Sequence, residues 1–271
     1  MLTHPGPPER SAVDRMFSIL DAFDHRNLTL TLSDISRRSR LPVATVHRIV
    51  NKLHSQVPSW ALERTEDGKY RIGLRLWEIG SLAPRWSALR ATALPHLVKL
   101  QSQIAASVLL AVRDRTDVVY LEVVCESPGV RPGVGSRLPP HVTASGLLLF
   151  AHTSAETQES VFSGPLRRYT DFTVTEPAEL HGALEQARRQ GYAVAHRSLC
   201  DRHSSVAAPI RDAHGLVIAA IKVTLDSSVL WRVMPAPPVA RRRGSSLPVR
   251  GRRTPGAGGP YLTCLVSCFL W

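Results

Sequence analysis

Leu41-Pro-Val-Ala-Thr-Val-His-Arg-Ile-Val-Asn-Lys-Leu53 is the stretch on which the reading of this 271-residue chain turns. Pro42 suits the first turn of a helix, where its missing N–H would have had no partner. Val46, Ile49, Val50 and Leu53 then recur at helical spacing and predict one buried stripe. The opposite face carries Ala44, Thr45, His47, Arg48, Asn51 and Lys52, short or basic side chains able to reach phosphates and base edges. No acidic residue falls between Arg37 and Leu53, whereas Arg37, Arg38, Arg40, Arg48 and Lys52 do. Two readings fit: the recognition helix of a helix-turn-helix, or an ordinary amphipathic helix with a solvated basic face. The neighbouring sequence decides between them.

Upstream, Ser11-Ala-Val-Asp14 has capping-box character. Val13, Met16, Phe17, Leu20 and Phe23 follow as an apolar stripe. The passage 24–30 is polar and turn-like. Thr31-Leu-Ser-Asp34 is a second capping box and opens a short helix to about Arg38, and Ser39-Arg40-Leu41 forms the turn. Downstream, Trp60 to Ile72 holds two β-compatible runs around Asp67-Gly68, a hairpin signal. A basic hairpin after a recognition helix is the wing of a winged helix, with Lys69 and Arg71 placed to meet phosphates; the alternative is a hairpin that only caps the helices. Helix-turn-helix and wing in this order favour DNA binding.

Leu74 to Gly80 predicts a short apolar helix. Pro84 starts another, with Trp86, Leu89, Ala93, Leu97, Leu100 and Ile104 along one side, and Pro95 kinks it or begins a new one. This segment reads as a connector between domains or subunits, or as a core helix. From Ser107 the pattern changes. Strands are expected at 108–112, 118–124, 134–138, 192–195, 206–210 and 216–225, and helices at 143–151 and 176–190. The irregular alternation predicts an α+β sheet domain. The expected organisation is a lead-in at 1–10, a winged helix-turn-helix at 11–73, connector helices at 74–106, an effector-type domain at 107–230 and an atypical tail at 231–271.

The formal net charge is +12, but seven arginines and no acidic residue lie between Trp231 and Trp271, which leaves +5 for the rest. Most of the basicity is therefore in the tail, where prolines and glycines make up about 27%, a disorder-like composition. The abrupt loss of pattern there suggests a shifted reading frame or a replaced C-terminus. Cys125, Cys200, Cys264 and Cys268 form no zinc-like pairs and fit free thiols in a cytoplasmic protein. No apolar run approaches the length of a membrane span. Ser136, His141 and Asp114 invite a hydrolase reading, but no nucleophile elbow, metal-spaced histidines or phosphate loop supports one. Neither catalysis nor a cofactor is expected.

The order of these features resembles the IclR-type transcriptional regulators of bacteria over roughly residues 11–230. The matching stretches are Leu32-Ser-Asp-Ile, Leu41 to Arg48, Gly68 to Leu76, Val118 to Glu122, Val134 to Ala144, Gly191-Tyr-Ala and Val206 to Asp212. The resemblance implies a homodimer or tetramer whose paired recognition helices enter successive major grooves of a near-palindromic double-stranded operator. It implies a C-terminal GAF/PAS-like domain that binds a small effector, often an organic acid. Repression is the expected mode. On the DNA side it points to Ala44, Thr45, His47, Arg48 and Lys52, with Arg37, Arg38, Lys69 and Arg71 around them.

Several positions depart from the family. Where Gly is common before the recognition helix, Arg40 stands, and a Cβ in a left-handed turn costs about 1 kcal/mol, so a distorted turn is expected. Val43 stands where a polar residue is common. In the implied pocket (Ala144, Ser145, Gly146, Ala195, Ser205, Lys222 and Thr224), an expected lysine is Leu147, an Asp is Ala195, a cysteine is Ser205, and two serines are Lys222 and Thr224. Donors for a carboxylate would come from Ser205, Thr224, the backbone N–H groups around Ser145 and Gly146, and Lys222; alternatively Lys222 points to solvent. The swaps imply a more anionic ligand than usual or a pocket out of use. The competing functional reading is a degenerate dimerisation or effector-binding module with impaired DNA binding.

Overall fold

In the computed structural model of the chain, residues 11–55, 61–104, 106–125 and 132–229 are described. The lead-in 1–10 and the tail expected from 231 lie outside them. The chain divides into two compact units between Ala88 and Leu89.

Both capping boxes form and start the first two helices. Ser11 Oγ accepts from the Asp14 N–H ahead of α1 (Ala12–Leu20), and Thr31 Oγ1 accepts from the Asp34 N–H ahead of α2 (Leu32–Ser39). The helix α3 (Val43–Ser55) follows the turn. Its predicted stripe is the one that is buried: Val46 and Val50 are fully covered and Ile49 and Leu53 pack beside them, against Ile19, Ile35, Leu41, Leu62 and Tyr70. The stripe expected on α1 needs correction, because Val13 and Phe17 are more than half exposed while Ile19 is fully buried. A nine-residue helix has one covered side, and here it is the side of Ile19 and Ala22.

The wing is built from β2 (Leu62–Arg64) and β3 (Tyr70–Ile72), joined through a turn in which Gly68 takes φ +79°. A strand absent from the sequence reading, β1 (Thr29–Leu30), pairs with β3, giving the sheet order β1-β3-β2. Two residues are too few to show an alternating pattern. The helix α4 (Leu74–Ser81) follows and has no buried residue.

The helix α5 (Pro84–Ile104) continues through Pro95 as one element. Within the second unit it buries Ala93, Leu97 and Leu100, as its periodicity predicts, and Arg90 lies 2.7 Å from the carboxylate of buried Glu122. Six strands form one antiparallel sheet: β4 (Ser107–Asp114), β5 (Asp117–Val124), β6 (Arg137–Leu138), β7 (Ala193–Ala195), β8 (His203–Arg211) and β9 (Val217–Asp226), in the order β6-β5-β4-β9-β8-β7. The architecture is thus the expected mixed α+β one. The third strand is shorter than expected, two residues rather than five.

The sheet's inner face is covered by α6 (Ala144–Ala151) and α8 (Pro177–Gln190), and α6 is buried along its whole length. Thr143 caps α6 through the Gly146 N–H at 2.9 Å. Pro177 starts α8 and Gly191, at φ +76°, ends it. A helix the sequence reading lacks, α7 (Ala155–Phe162), starts at a Ser154 cap and buries Gln158 and Phe162.

Candidate functional site

Two places in this fold gather polar chemistry. The first is the exposed face of α3. Ala44, His47, Arg48, Asn51 and Lys52 all lie on it, with Thr45 half-buried at its margin. Asn51 Nδ2 lies 3.3 Å from the His47 ring. Among the described residues neither Arg48 nor Lys52 has an ion-pair partner, so both charges stand free on an acid-free face.

The flanking cations differ. Arg38 donates to the Ala22 carbonyl at 2.6 Å and pairs with Asp24. Its guanidinium ties α2 to the end of α1, which corrects its expected place among free phosphate-facing cations. Arg37 pairs with Asp34 at 2.6 Å, Lys69 with Asp67 at 2.7 Å and Arg71 with Glu63 at 2.7 Å. The hydrogen bond from Lys69 to Asp67 holds that carboxyl down to about 2. Lys69 and Arg71 therefore carry their charge in neutralised pairs, whereas Arg64 on β2 has no ion pair among the described residues and lies over the Tyr70 ring. Sequence reasoning counted cations and missed their partners, which face them across a strand pair or a turn.

The expected distortion before α3 is not found. Arg40 takes the left-handed conformation, φ 55° and ψ 41°, as the C-cap of α2. The Leu41 N–H donates to the Ser36 carbonyl at 3.2 Å, and Ser36 Oγ donates back to the Leu41 carbonyl at 2.6 Å. With Leu41 buried, the turn is over-determined and holds a residue with a Cβ in place.

The second place is a cavity of about 50 Å³ in the effector-type unit. The register puts Ala195 opposite Ser205, Ser205 opposite Thr224, and Lys222 between Ala207 and Leu109. Ala195, Ser205, Lys222 and Thr224 all line the cavity. Lys222 is only 3% exposed, so the solvent-facing alternative is wrong. The reason lies in β9, where Ala219, Ala220, Ile221 and Val223 are buried as well, so the strand is covered on both faces. That near-continuous apolar run was the signal in the sequence. Lys222 Nζ donates to the Tyr120 hydroxyl at 2.9 Å and lies 4.5 Å from its ring centroid, and the same hydroxyl is 3.4 Å from Ser145 Oγ.

Ala144, Ser145 and Gly146 do not line the cavity, and the Gly146 N–H is taken by Thr143 Oγ1. Of the expected backbone donors, that of Gly146 is thus spent on capping α6. In their place the cavity has residues the sequence reading passed over: Thr143 and Val142 before α6, and Ser198, Leu199, Cys200, His203 and Ser204 after β7. The loop after β7 is held by Thr170 Oγ1, which donates to the Arg197 carbonyl, and by Thr173 Oγ1, which donates to the Ser198 carbonyl, each at 2.8 Å. Leu109, Val142, Leu199 and Pro132 supply apolar wall. No carboxylate is among the described residues that line it.

The hydrolase trio is not assembled. Asp114 pairs with Arg137, and His141 is buried with Nε2 donating to the Arg167 carbonyl at 2.9 Å. Burial pushes the His141 imidazole below its ordinary range, against the pull of that carbonyl. No helix among the described residues is long and apolar enough to cross a membrane.

Both units of the chain resemble known proteins. Residues 12–56 match the IclR helix-turn-helix domain, and residues 86–236 match the family described as bacterial transcriptional regulator IclR C-terminal. The chain is 31% identical over 228 residues to the HTH-type transcriptional regulator XynR of Escherichia coli, covering 82% of this chain and 89% of that protein. It is 30% identical to the HTH-type transcriptional repressor AllR of Salmonella typhimurium, covering 81% of each. A crystal structure of an IclR homologue from Microbacterium hydrocarbonoxydans, complexed with 4-hydroxybenzoate, superposes with a TM-score of 0.70 at 37% identity, covering 80% of this chain and 90% of that one.

Proposed function

The chain belongs to the IclR family of bacterial transcriptional regulators, DNA-binding proteins that respond to small-molecule effectors, and on that premise we propose how this member does so. The exposed face of α3 reads the major groove of a near-palindromic operator. His47 and Arg48 reach base edges or phosphates, Arg48 suiting the O6 and N7 of a guanine. Thr45 and Lys52 hold the backbone beside Ala44, and Arg37 flanks them. The family's symmetric mode of binding calls for a homodimer or tetramer, acting in the cytoplasm where the DNA is. Repression is the mode we assign, in line with the similarity to a repressor.

The effector is a small carboxylic acid with one anionic head and an apolar body. The observation that carries this is the buried Lys222, which lines the cavity together with Ser205 and Thr224, with no carboxylate among the described residues that line it. A buried cation whose one hydrogen-bond partner among the described residues is a neutral phenol calls for an anion. Among the described lining residues no carboxylate is present to pair an ammonium, which disfavours amino acids and amines. The apolar wall of Leu109, Val142 and Leu199 suits a hydrocarbon or aryl body.

The test is fluorescence anisotropy on DNA from the gene's own upstream region, with added benzoate, 4-hydroxybenzoate, butyrate, succinate and phenylalanine, alongside calorimetry of each. The proposal expects salt-sensitive, sequence-specific binding that monocarboxylates alter and phenylalanine does not. Preference for neutral or cationic compounds would overturn the anion assignment.

A further inference from the structure

We propose that Arg40 is a DNA-backbone contact of this chain, kept in the turn ahead of α3 despite the backbone conformation it has to adopt. Three non-glycine residues among those described have positive φ: Arg40, Arg115 and Arg197. Arg115 sits in the two-residue hairpin between β4 and β5. The Arg197 guanidinium donates to the Asp201 carbonyl and stacks over Phe172, with its Cζ 4.0 Å from the ring centroid. Arg40 has neither excuse. Its side chain is exposed and has no ion pair or hydrogen bond among the described residues. A glycine would take φ 55° and ψ 41° without strain, so the fold by itself gives no reason for an arginine.

The position supplies one. Leu41 is buried and bonded to Ser36 through both its N–H and its carbonyl, so the backbone of the turn is fixed and the Arg40 side chain is directed outward. The residue caps α2 three positions ahead of the start of α3, four before Ala44 and eight before Arg48. Turn and helix-start residues of a helix-turn-helix border the phosphate backbone when the second helix enters the groove. Of the cations from α2 through α3, Arg37 and Arg38 are paired, whereas Arg40, Arg48 and Lys52 form no pair among the described residues. An unpaired guanidinium at that edge meets phosphate and releases counterion. Arg40 therefore strengthens DNA binding, the reverse of the impairment its replacement of glycine suggests.

Full-length Arg40→Gly, Arg40→Asn and Arg40→Lys proteins, with Arg48→Ala as reference, would be titrated with upstream-region DNA and with random duplex across a series of salt concentrations. Melting temperatures would be read in parallel. Arg40→Gly is expected to melt a few degrees higher than the parent, because strain is relieved. It should nevertheless bind both DNAs about three- to tenfold more weakly, with a salt slope shallower by roughly one per bound copy. Arg40→Asn, tolerant of the left-handed turn but neutral, should lose affinity likewise, and Arg40→Lys should keep most of it. Affinity and slope unchanged or improved in Arg40→Gly and Arg40→Asn, while Arg48→Ala loses binding, would overturn the proposal. So would a loss confined to the specific DNA.

Discussion

Lys222 and Tyr120 meet in the interior of the effector-type unit, Nζ to hydroxyl at 2.9 Å, with Tyr120 fully buried and Lys222 nearly so. They come from strands that are not neighbours: β4 lies between β5 and β9. Both project to the inner face, because Tyr120 pairs with Ala111 and Lys222 with Leu109, two residues apart on β4. An ammonium with one neutral partner among the described residues carries an unmet electrostatic demand at the cavity wall. Lys222→Met should therefore leave the melting temperature unchanged or raise it, since a desolvated charge is replaced by an apolar chain of similar reach. The same variant should bind the best monocarboxylate of the panel at least about tenfold more weakly, the loss of a charge-assisted hydrogen bond. Calorimetry and thermal melting on one preparation check both.

Arg38 should behave as a structural residue. Arg38→Ala removes the hydrogen bond to the Ala22 carbonyl and the pair with Asp24. With the side chain partly exposed, the expected cost is about 1–2 kcal/mol of stability in the N-terminal unit. The salt slope of DNA binding should not change at temperatures where the variant is folded. Urea unfolding and the salt series separate these effects.

In the wing, Asp67→Asn should strengthen DNA binding. It removes the carboxylate that holds Lys69 at 2.7 Å and frees that ammonium for phosphate. Binding to operator and random DNA should both tighten about two- to fivefold at low salt, with a steeper salt slope. Equal affinity and slope would mean that the wing does not approach the duplex.

Gly146→Ala should destabilise the second unit severely. A Cβ there would lie 2.7 Å from the Pro140 carbonyl carbon and closer still to that residue's Cα and oxygen. These are backbone atoms beside a fully buried helix, so neither side yields, and a cost of about 3 kcal/mol or more is expected. Denaturant unfolding measures it.

Acid should weaken this unit before its carboxylates titrate. Burial lowers both His141 and His196 from 6.5, and for His196 the nearby Arg197 adds to the effect. A histidine lowered on folding binds its proton more readily when unfolded. Its contribution is therefore whole above 6.5 and is lost as pH falls below that value. Melting temperature should fall between pH 7.5 and pH 5.5, and His141→Gln, which keeps a donor for the Arg167 carbonyl, should flatten the fall.

By itself the sequence determined the helix-turn-helix, the wing, the connector's buried stripe and the α+β character of the second unit. Those features rest on short-range physics: the two capping boxes, helical and strand periodicity, Gly68 in its turn and Gly191 after α8. The α3 face was legible for the same reason, since one helix carries it. Only the tertiary structure decided which cations are free and which residues surround the cavity. The ion pair Arg71–Glu63 joins two strands, and Arg38–Asp24 joins α2 to the turn after α1. The short strand β1 exists because β3 pairs with it. The cavity is assembled from β4, β8, β9, the approach to α6 and the loop after β7. Lys222 is buried because its strand is covered on both faces, a condition set by packing rather than by the residue's own preference for water.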